Sequence, residues 1–333
     1  MNARTLYFTE PGRIDLHDEP LEPPTGDDLL IETAASGISA GSELLVYRGE
    51  FPDSVPVDET IDALDGGFEY PLAYGYSAVG EVVETGPESE QWVGRRVFCF
   101  APHATHIRSS PEAVVALPDD IDTEAATLLP TVETATNLVL DGHPRLGERV
   151  VVFGAGPVGL CTTHALAGFP LEELVVVEPI QSRRETARAL GADRAISPED
   201  DAPFASADPG GADLVYELSG RPETLDDAIA AAGYDSRVVV GSWYGSKRAD
   251  VDLGGSFHRN RIDLLSSQVS SLAPELRGRW DKPRRFDVAF DRLRQLDSDV
   301  LATHRVPFGN AGDAYDLLDT NPAEALHVIL TYP

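Results

Sequence analysis

The stretch Arg149 to Leu160, RVVVFGAGPVGL, carries the clearest chemistry in the chain. A β-branched run leads into Gly154, Gly156 and Gly159, and GxGxxG between a strand and a helix is the spacing that a dinucleotide requires. Gly154 permits the tight turn, Gly156 lets the backbone approach a pyrophosphate and Gly159 lets helix and strand pack closely, with Ala155, Pro157 and Val158 completing the loop. The N–H groups that open the helix then face the anion. The next apolar run, LVVVEP, ends in Glu178, where a carboxylate can accept both ribose hydroxyls and repel a 2′-phosphate. Arg183 and Arg184 follow in QSRRE and could pair with such a phosphate, so NAD is favoured and NADP stays open.

The elements that must position these residues are visible as changes of period. LLIETAASG, YSAVGEVVETG, RRVFCFA and AVVALP are short strands between Pro and Gly turns, so the N-terminal part is β-rich. From about Thr123 the pattern turns to helix and then to strand, helix, strand alternation, which implies a parallel sheet with right-handed crossovers. The boundary falls near Pro130. After the strand DLLSSQVS the chain returns to mixed structure, with RRFDVAFDRLRQL spaced as a helix and ALHVILTY as a closing strand. The acidic segment Ser197 to Gly211 reads as a surface loop, and RGRWDKPRR as a solvated basic loop. The fold class expected is α/β, a doubly wound parallel sheet beside a β domain.

Bulk properties narrow the partners. A chain of 333 residues allows about two domains. Its formal charge of -30 and pI near 4.4 are extreme, and its basic residues are nearly all Arg, Lys247 and Lys282 being the only lysines. Self-repulsion of that size suits strong salt, where screening shortens to about 3 Å at 1 M, and points to a halophile's cytoplasmic protein. Nucleic acid and anionic membranes are disfavoured, and no apolar run approaches the ~18 residues that span a bilayer. Cys99 and Cys161 sit in apolar settings without CxxC spacing and read as buried, inert thiols.

With these motifs in order along the chain, ASGIS, YGYSAVGEVVETG, VGRRVF, ETATN, FGAGPVGL and RALGAD, the sequence resembles the medium-chain dehydrogenase/reductase superfamily over essentially its whole length. SAGSE, GYSAVG, LLPTVETATNLV and SWYG with FHRNRIDLLSSQVS resemble a branch usually labelled zinc-binding dehydrogenase, related to bacteriochlorophyllide-type alcohol dehydrogenases. The resemblance implies a GroES-like catalytic domain over 1–127, a Rossmann domain over 128–271, and a return to the catalytic domain over 272–333, with the active site in the cleft between them. It also implies a soluble homodimer acting on a small molecule. Further cofactor contacts follow from family position: Ser219 and Gly220 after ADLVYELSG, Gly241 and Ser242 after RVVVGS, Gln268 and Val269 near the nicotinamide carboxamide, and His327 at a pyrophosphate place. Trp243, Tyr244, His258, Arg259 and Arg261 are expected to border the substrate cleft, with buried ion pairing the alternative for the arginines.

The departures from the family pattern carry as much weight. Where relatives place a Cys, a His and a Cys or acid around catalytic zinc, this chain has Ser39, Tyr76 and Pro130, and the lobe for a structural zinc is missing. Hydroxyls are poor zinc ligands beside thiolate and imidazole, so no metal is expected. A relocated metal on Glu43, Glu133 and His103 or His106 is the alternative. What remains is hydroxyl and carboxylate chemistry: Ser39, Ser42 and Glu43 on one loop, Tyr76 at the departed His position, and Glu133 in ETATN. Tyr76 is the expected donor to a developing alkoxide, with Glu43 orienting the donors. Packing and backbone capping are the competing roles for each. Three functions are compatible with this set: zinc-independent alcohol/carbonyl oxidoreduction, reduction of an activated C=C bond, and nucleotide binding or redox sensing without turnover.

Overall fold

The structure is a computed structural model that describes residues 2–52, 64, 66–200, 203–204 and 210–333. Part of the acidic segment Ser197–Gly211, residues 201–202 and 205–209, lies outside the described residues. The described chain forms two compact units, 1–130 with 297–333, and 131–296. The first break falls after Pro130. The segment 272–296, expected to return to the catalytic domain, clusters with the second unit.

The first unit starts from strands whose alternate residues are apolar. β1 (Asn2–Glu10) buries Ala3, Thr5, Leu6 and Phe8, and pairs antiparallel with β2 (Arg13–Pro20). β3 (Leu29–Ile38) leads through Ser39 into helix α1 (Ala40–Arg48), which Gly49 ends at φ 70, the left-handed conformation that favours glycine. The short β4 (Leu72–Ala73) adds to β1 and sets the chain up for Tyr76. β5 (Ala78–Thr85) pairs with β3 and with β6 (Arg96–Cys99), while β7 (His106–Ser109) pairs with β3 and β8 (Val114–Ala116) with β6. Helix α2 (Thr123–Ala126) is capped by Asp122, whose side chain accepts from the N–H groups of Glu124 and Ala125.

The second unit is built on valine. After α3 (Leu129–Gly142), the strands β9 (Arg149–Phe153), β10 (Glu173–Val177), β11 (Arg194–Ile196), β12 (Ala212–Glu217), β13 (Ala232–Val240) and β14 (Asp263–Ser266) form one parallel sheet among the described residues. Helices α4 (Pro157–Leu166), α5 (Gln181–Ala189) and α6 (Thr224–Ala231) make the crossovers. Val150, Val151, Val152, Val175, Val176 and Val215 are all inaccessible, as a parallel sheet covered on both faces demands. The order β11-β10-β9-β12-β13-β14 reverses direction between β9 and β12. That reversal opens a crevice at the carboxyl ends of the two strands, where open α/β sheets bind ligands.

Helix α7 (Lys282–Gln295) takes in the last four residues of RGRWDKPRR, a stretch that otherwise lies exposed except at half-buried Trp280. Its Arg285 is 2% exposed and forms an ion pair with Glu133 of α3, 2.7 Å from guanidinium to carboxylate. The chain then re-enters the first unit with β15 (Ala302–Pro307), α8 (Ala311–Thr320) and β16 (His327–Thr331). β16 lies antiparallel to β3 and completes the sheet β15-β16-β3-β5-β6-β8. Leu6, Phe8, Tyr47, Phe68, Tyr315 and Leu330 fill the core beside it. The first unit is thus the GroES-like domain and the second the Rossmann domain. Cys99 and Cys161 are buried, and burial pushes each thiol up to about 12. Among the described residues no helix is long and apolar enough to cross a membrane.

His327 is 3% exposed and its Nε2 lies 2.8 Å from Thr127 Oγ1, so it is a core histidine, and the expectation that it meets a pyrophosphate is corrected by its burial. Desolvation lowers its pKa from 6.5 to about 4. A depressed folded value means that the unfolded chain takes up the proton first, so stability is full above pH 6.5 and falls as pH drops towards about 4. The loss should approach about 3 kcal/mol. Denaturant unfolding from pH 7 to pH 4 at fixed salt should show a shallower slope for His327→Gln than for the unaltered chain; equal slopes would remove His327 from the acid response.

Candidate functional site

At the switch point the three glycines do different work. Gly154 has φ 95, and a Cβ there would stand 2.7 Å from Leu218 O and from Ser219 Cα, so the turn after β9 is pressed against the end of β12. A Cβ on Gly159 would stand 2.0 Å from Gly154 O, which holds α4 against the turn. Gly156 differs: it is the N-cap of α4 at φ −72, and a Cβ there would meet nothing within 4 Å. The protein leaves the approach to this helix N-terminus clear, and its chemistry fits an incoming phosphate. Pro157 and Val158 form the first turn behind it.

Two buried carboxylates fix the loops around this cradle. Glu178 is 4% exposed; Oε2 accepts the Ala155 N–H at 2.7 Å and Oε1 accepts the Ile180 N–H at 3.0 Å. Its first duty is therefore to hold the glycine loop, and each oxygen keeps a lone pair that a hydroxyl can use. Burial lowers the pKa of Arg183, with the Glu178 charge acting the other way, and Arg184 Nη1 donates to the carbonyls of Glu178 and Pro179. At the end of β12, Glu217 is fully buried; Oε1 accepts from the N–H and hydroxyl of Ser219, and Oε2 accepts from Tyr244 Oη at 2.5 Å. Ser242 Oγ accepts the Gly220 N–H at 2.9 Å. Ser219, Gly220, Gly241 and Ser242 are therefore gathered at the strand ends, around a carboxylate that the sequence reading missed. Gln268 turns onto Ser270 through its amide and lies outside this network, as does its neighbour Val269.

A second cluster lies in the first unit. Ser39 is the N-cap residue of α1, yet its hydroxyl makes no cap bond. It lies instead 2.5 Å from Tyr76 Oη, and Ser42 Oγ lies 2.6 Å from the same oxygen. The cap function passes to Glu43, one turn on, whose Oε1 accepts the Ser39 N–H at 2.7 Å. Glu43 is wholly buried, and its Oε2 accepts from Tyr315 Oη and from His103 Nε2, the latter at 3.0 Å. Three hydroxyls converge over a carboxylate that faces inward. The phenol of Tyr76 can donate to a bound oxygen while the serines take up its other contacts.

Glu133 does not join this cluster. Its carboxylate is 3% exposed and receives Arg285 Nε and Nη2, while Arg285 Nη1 donates to Asn137 Oδ1 at 2.8 Å. Burial raises its pKa and Arg285 opposes the rise. Its role is to fasten α7 to α3. The relocated metal set is dismantled likewise: Glu43 and His103 meet, but His106 contacts Thr105. Among the described residues no group of three or more His, Cys, Asp or Glu side chains could hold a metal ion. Neither the hydroxyl cluster nor the spent carboxylate fits zinc, which favours thiolate and imidazole. His103, read as a loop histidine, is the residue most undervalued by the sequence, since nothing local marks its partner 60 positions away.

Comparison with known proteins finds likenesses in both sequence and fold. Residues 157–282 match the family of zinc-binding dehydrogenases. The (R,R)-butanediol dehydrogenase of Bacillus subtilis is 26% identical over 82% of this chain and 84% of its own. A structure of a short chain alcohol dehydrogenase (rspB) from Escherichia coli CFT073, complexed with NADH, superimposes with a TM-score of 0.79 at 20% identity and covers 99% of both chains. A structure described as a zinc-binding dehydrogenase, from Sinorhizobium meliloti 1021 and bound to NADP, gives 0.79 at 18% identity and covers 99% of both. These likenesses show that the chain shares the fold of these dehydrogenases.

The glycines allow a direct test of the cradle. Gly156→Ala should leave the melting temperature within about 1–2 °C and weaken NADH binding at least ~10-fold, because the methyl enters only the ligand's space. Gly159→Ala should instead lower stability by about 1–3 kcal/mol through overpacking. Thermal melts and fluorescence titration with NADH separate the two; unchanged NADH affinity in Gly156→Ala would dismiss the cradle.

Proposed function

We propose that the protein is a zinc-independent, NAD(P)-dependent oxidoreductase acting on an alcohol/carbonyl pair, with Tyr76 as the hydrogen-bond and proton donor to the substrate oxygen. The observation that carries this reading is the convergence of Ser39 and Ser42 on Tyr76 Oη at 2.5 and 2.6 Å. Gly154, Gly156 and Gly159 with Glu178 would hold the dinucleotide, which supplies or receives the hydride when bound. Carbonyl reduction then needs one proton at oxygen. Tyr76 delivers it, and the partly accessible hydroxyls of Ser39 and Ser42 can relay a proton from solvent water to the phenolate. Nothing in that route requires a Lewis acid. The names of the relatives make secondary alcohols and polyols the first substrates to try, in molar salt as the surface charge recommends.

A cofactor-oxidation screen against ketones and enones identifies the reaction, and Tyr76→Phe then tests the donor. The Phe variant keeps the ring's packing and should lose about 10²-fold in kcat with NADH affinity unchanged. Chelators should leave the unaltered enzyme active. Full turnover by Tyr76→Phe, or activity restored only by added zinc, would overturn the assignment. Turnover of enones alone would replace it with C=C reduction.

Cofactor choice is tested separately. Glu178 should make NADH bind more tightly than NADPH, and Glu178→Ala should weaken both while narrowing the gap, since the variant removes the loop anchor and the repulsive charge together. Titration in molar salt decides this; tighter binding of NADPH by the unaltered chain would show that Arg183 and Arg184 outweigh the carboxylate.

A further inference from the structure

We infer that His103 is the positioning residue for the Tyr76 hydroxyl cluster, acting on both backbone segments that carry it. The inference rests on the donor role proposed for Tyr76. The imidazole is fully buried and both of its nitrogens are engaged: Nε2 lies 3.0 Å from Glu43 Oε2, and Nδ1 lies 2.7 Å from Ser36 Oγ. Ser36 Oγ lies in turn 2.8 Å from Tyr332 Oη. As a carboxylate, Glu43 can only accept, so Nε2 carries the ring proton and Nδ1 accepts from Ser36, whose own oxygen accepts from Tyr332. One chain of donors, running from Tyr332 through Ser36 and His103 to Glu43, therefore fixes the tautomer and the tilt of the ring.

Two contacts pass that orientation on. The first goes through Glu43, whose other oxygen accepts the Ser39 N–H at 2.7 Å and so pins the residue whose hydroxyl meets Tyr76. The second is steric. Gly75 stands at φ 130, and a Cβ built there would lie 2.8 Å from His103 Cδ2 and Nε2, so the ring lies directly against the backbone that precedes Tyr76. A single side chain thus touches the entry to Tyr76 and, through one carboxylate, the turn that carries Ser39. The hydrogen-bonded path ends at a backbone N–H, which cannot relay a proton onward. His103 therefore acts by geometry, and it has no direct share in the chemistry.

The test reads the position of Tyr76 without needing a substrate. In protein carrying ¹³C at the tyrosine Cζ, Tyr76→Phe assigns the Tyr76 resonance and Ser39→Ala gives its value when a hydroxyl partner is lost. His103→Leu, which removes the donor to Glu43, should move the Tyr76 signal towards the Ser39→Ala value, and His103→Gln, which keeps an N–H in reach of Glu43, should restore it. Once a substrate is known, His103→Leu should lose about 10- to 100-fold in kcat with NADH affinity retained. A folded His103→Leu protein with an unmoved Tyr76 signal would overturn the inference. Should that variant fail to fold, Ser36→Ala carries the same test, because it removes only the hydroxyl that orients Nδ1; an unmoved signal there is equally decisive against it. Full turnover by Tyr76→Phe would instead sink the donor role of Tyr76 and leave the resonance result standing, so the two failures are distinct.

Discussion

A carboxylate without access to solvent must be met by donors on every side, or the fold pays the full cost of its desolvation. This chain accepts that constraint at Glu43, Glu133, Glu178 and Glu217, all buried. Each lies at or within one turn of the point where an element begins or ends, and each gathers backbone or side-chain donors from segments that would otherwise be loose. Glu178 and Glu217 tie down the turns at the ends of β10 and β12, and Glu43 ties down the start of α1. Glu133 fastens a helix from outside the sheet. The loops that could bind and react take their shape from these acids.

That division explains why half of the site was legible in the sequence. RVVVFGAGPVGL announces strand, turn and helix within twelve residues, because its determinants lie close together: β-branched residues for a buried parallel strand, and Gly154 and Gly159 where a Cβ cannot stand. The order of elements and the break at Pro130 follow from the same local periods. The missed features depend on distant partners. Glu43 finds His103 across 60 positions and Tyr315 across 272, and Arg285 finds Glu133 across 152, which is why a buried arginine read as part of a solvated basic loop. His327 was misplaced for the reverse reason, since family position suggested a surface role and only the packed structure shows it under Gly37 and Thr127.

The two clusters also divide the energetics. In the second unit, inaccessible valines supply the stability and the glycine turn contributes shape, so the cradle can stay open at Gly156 without cost to the sheet. The first unit has polar groups in its core: Ser36, Glu43, His103, Tyr315 and Tyr332 are joined by hydrogen bonds that must all be made together. Such networks specify one geometry because a partly satisfied alternative is costly.

Both cysteines of the chain are buried, with thiols pushed up to about 12. Neither offers a thiolate near neutral pH or an exposed sulfur, so both are poor targets for maleimides in the folded molecule. The same inertness makes the chain a clean background for site-directed probes. A single cysteine introduced beside the glycine turn would be the sole nucleophile to take up a fluorophore or a spin label, and the motion of that turn could be followed without first removing any native residue.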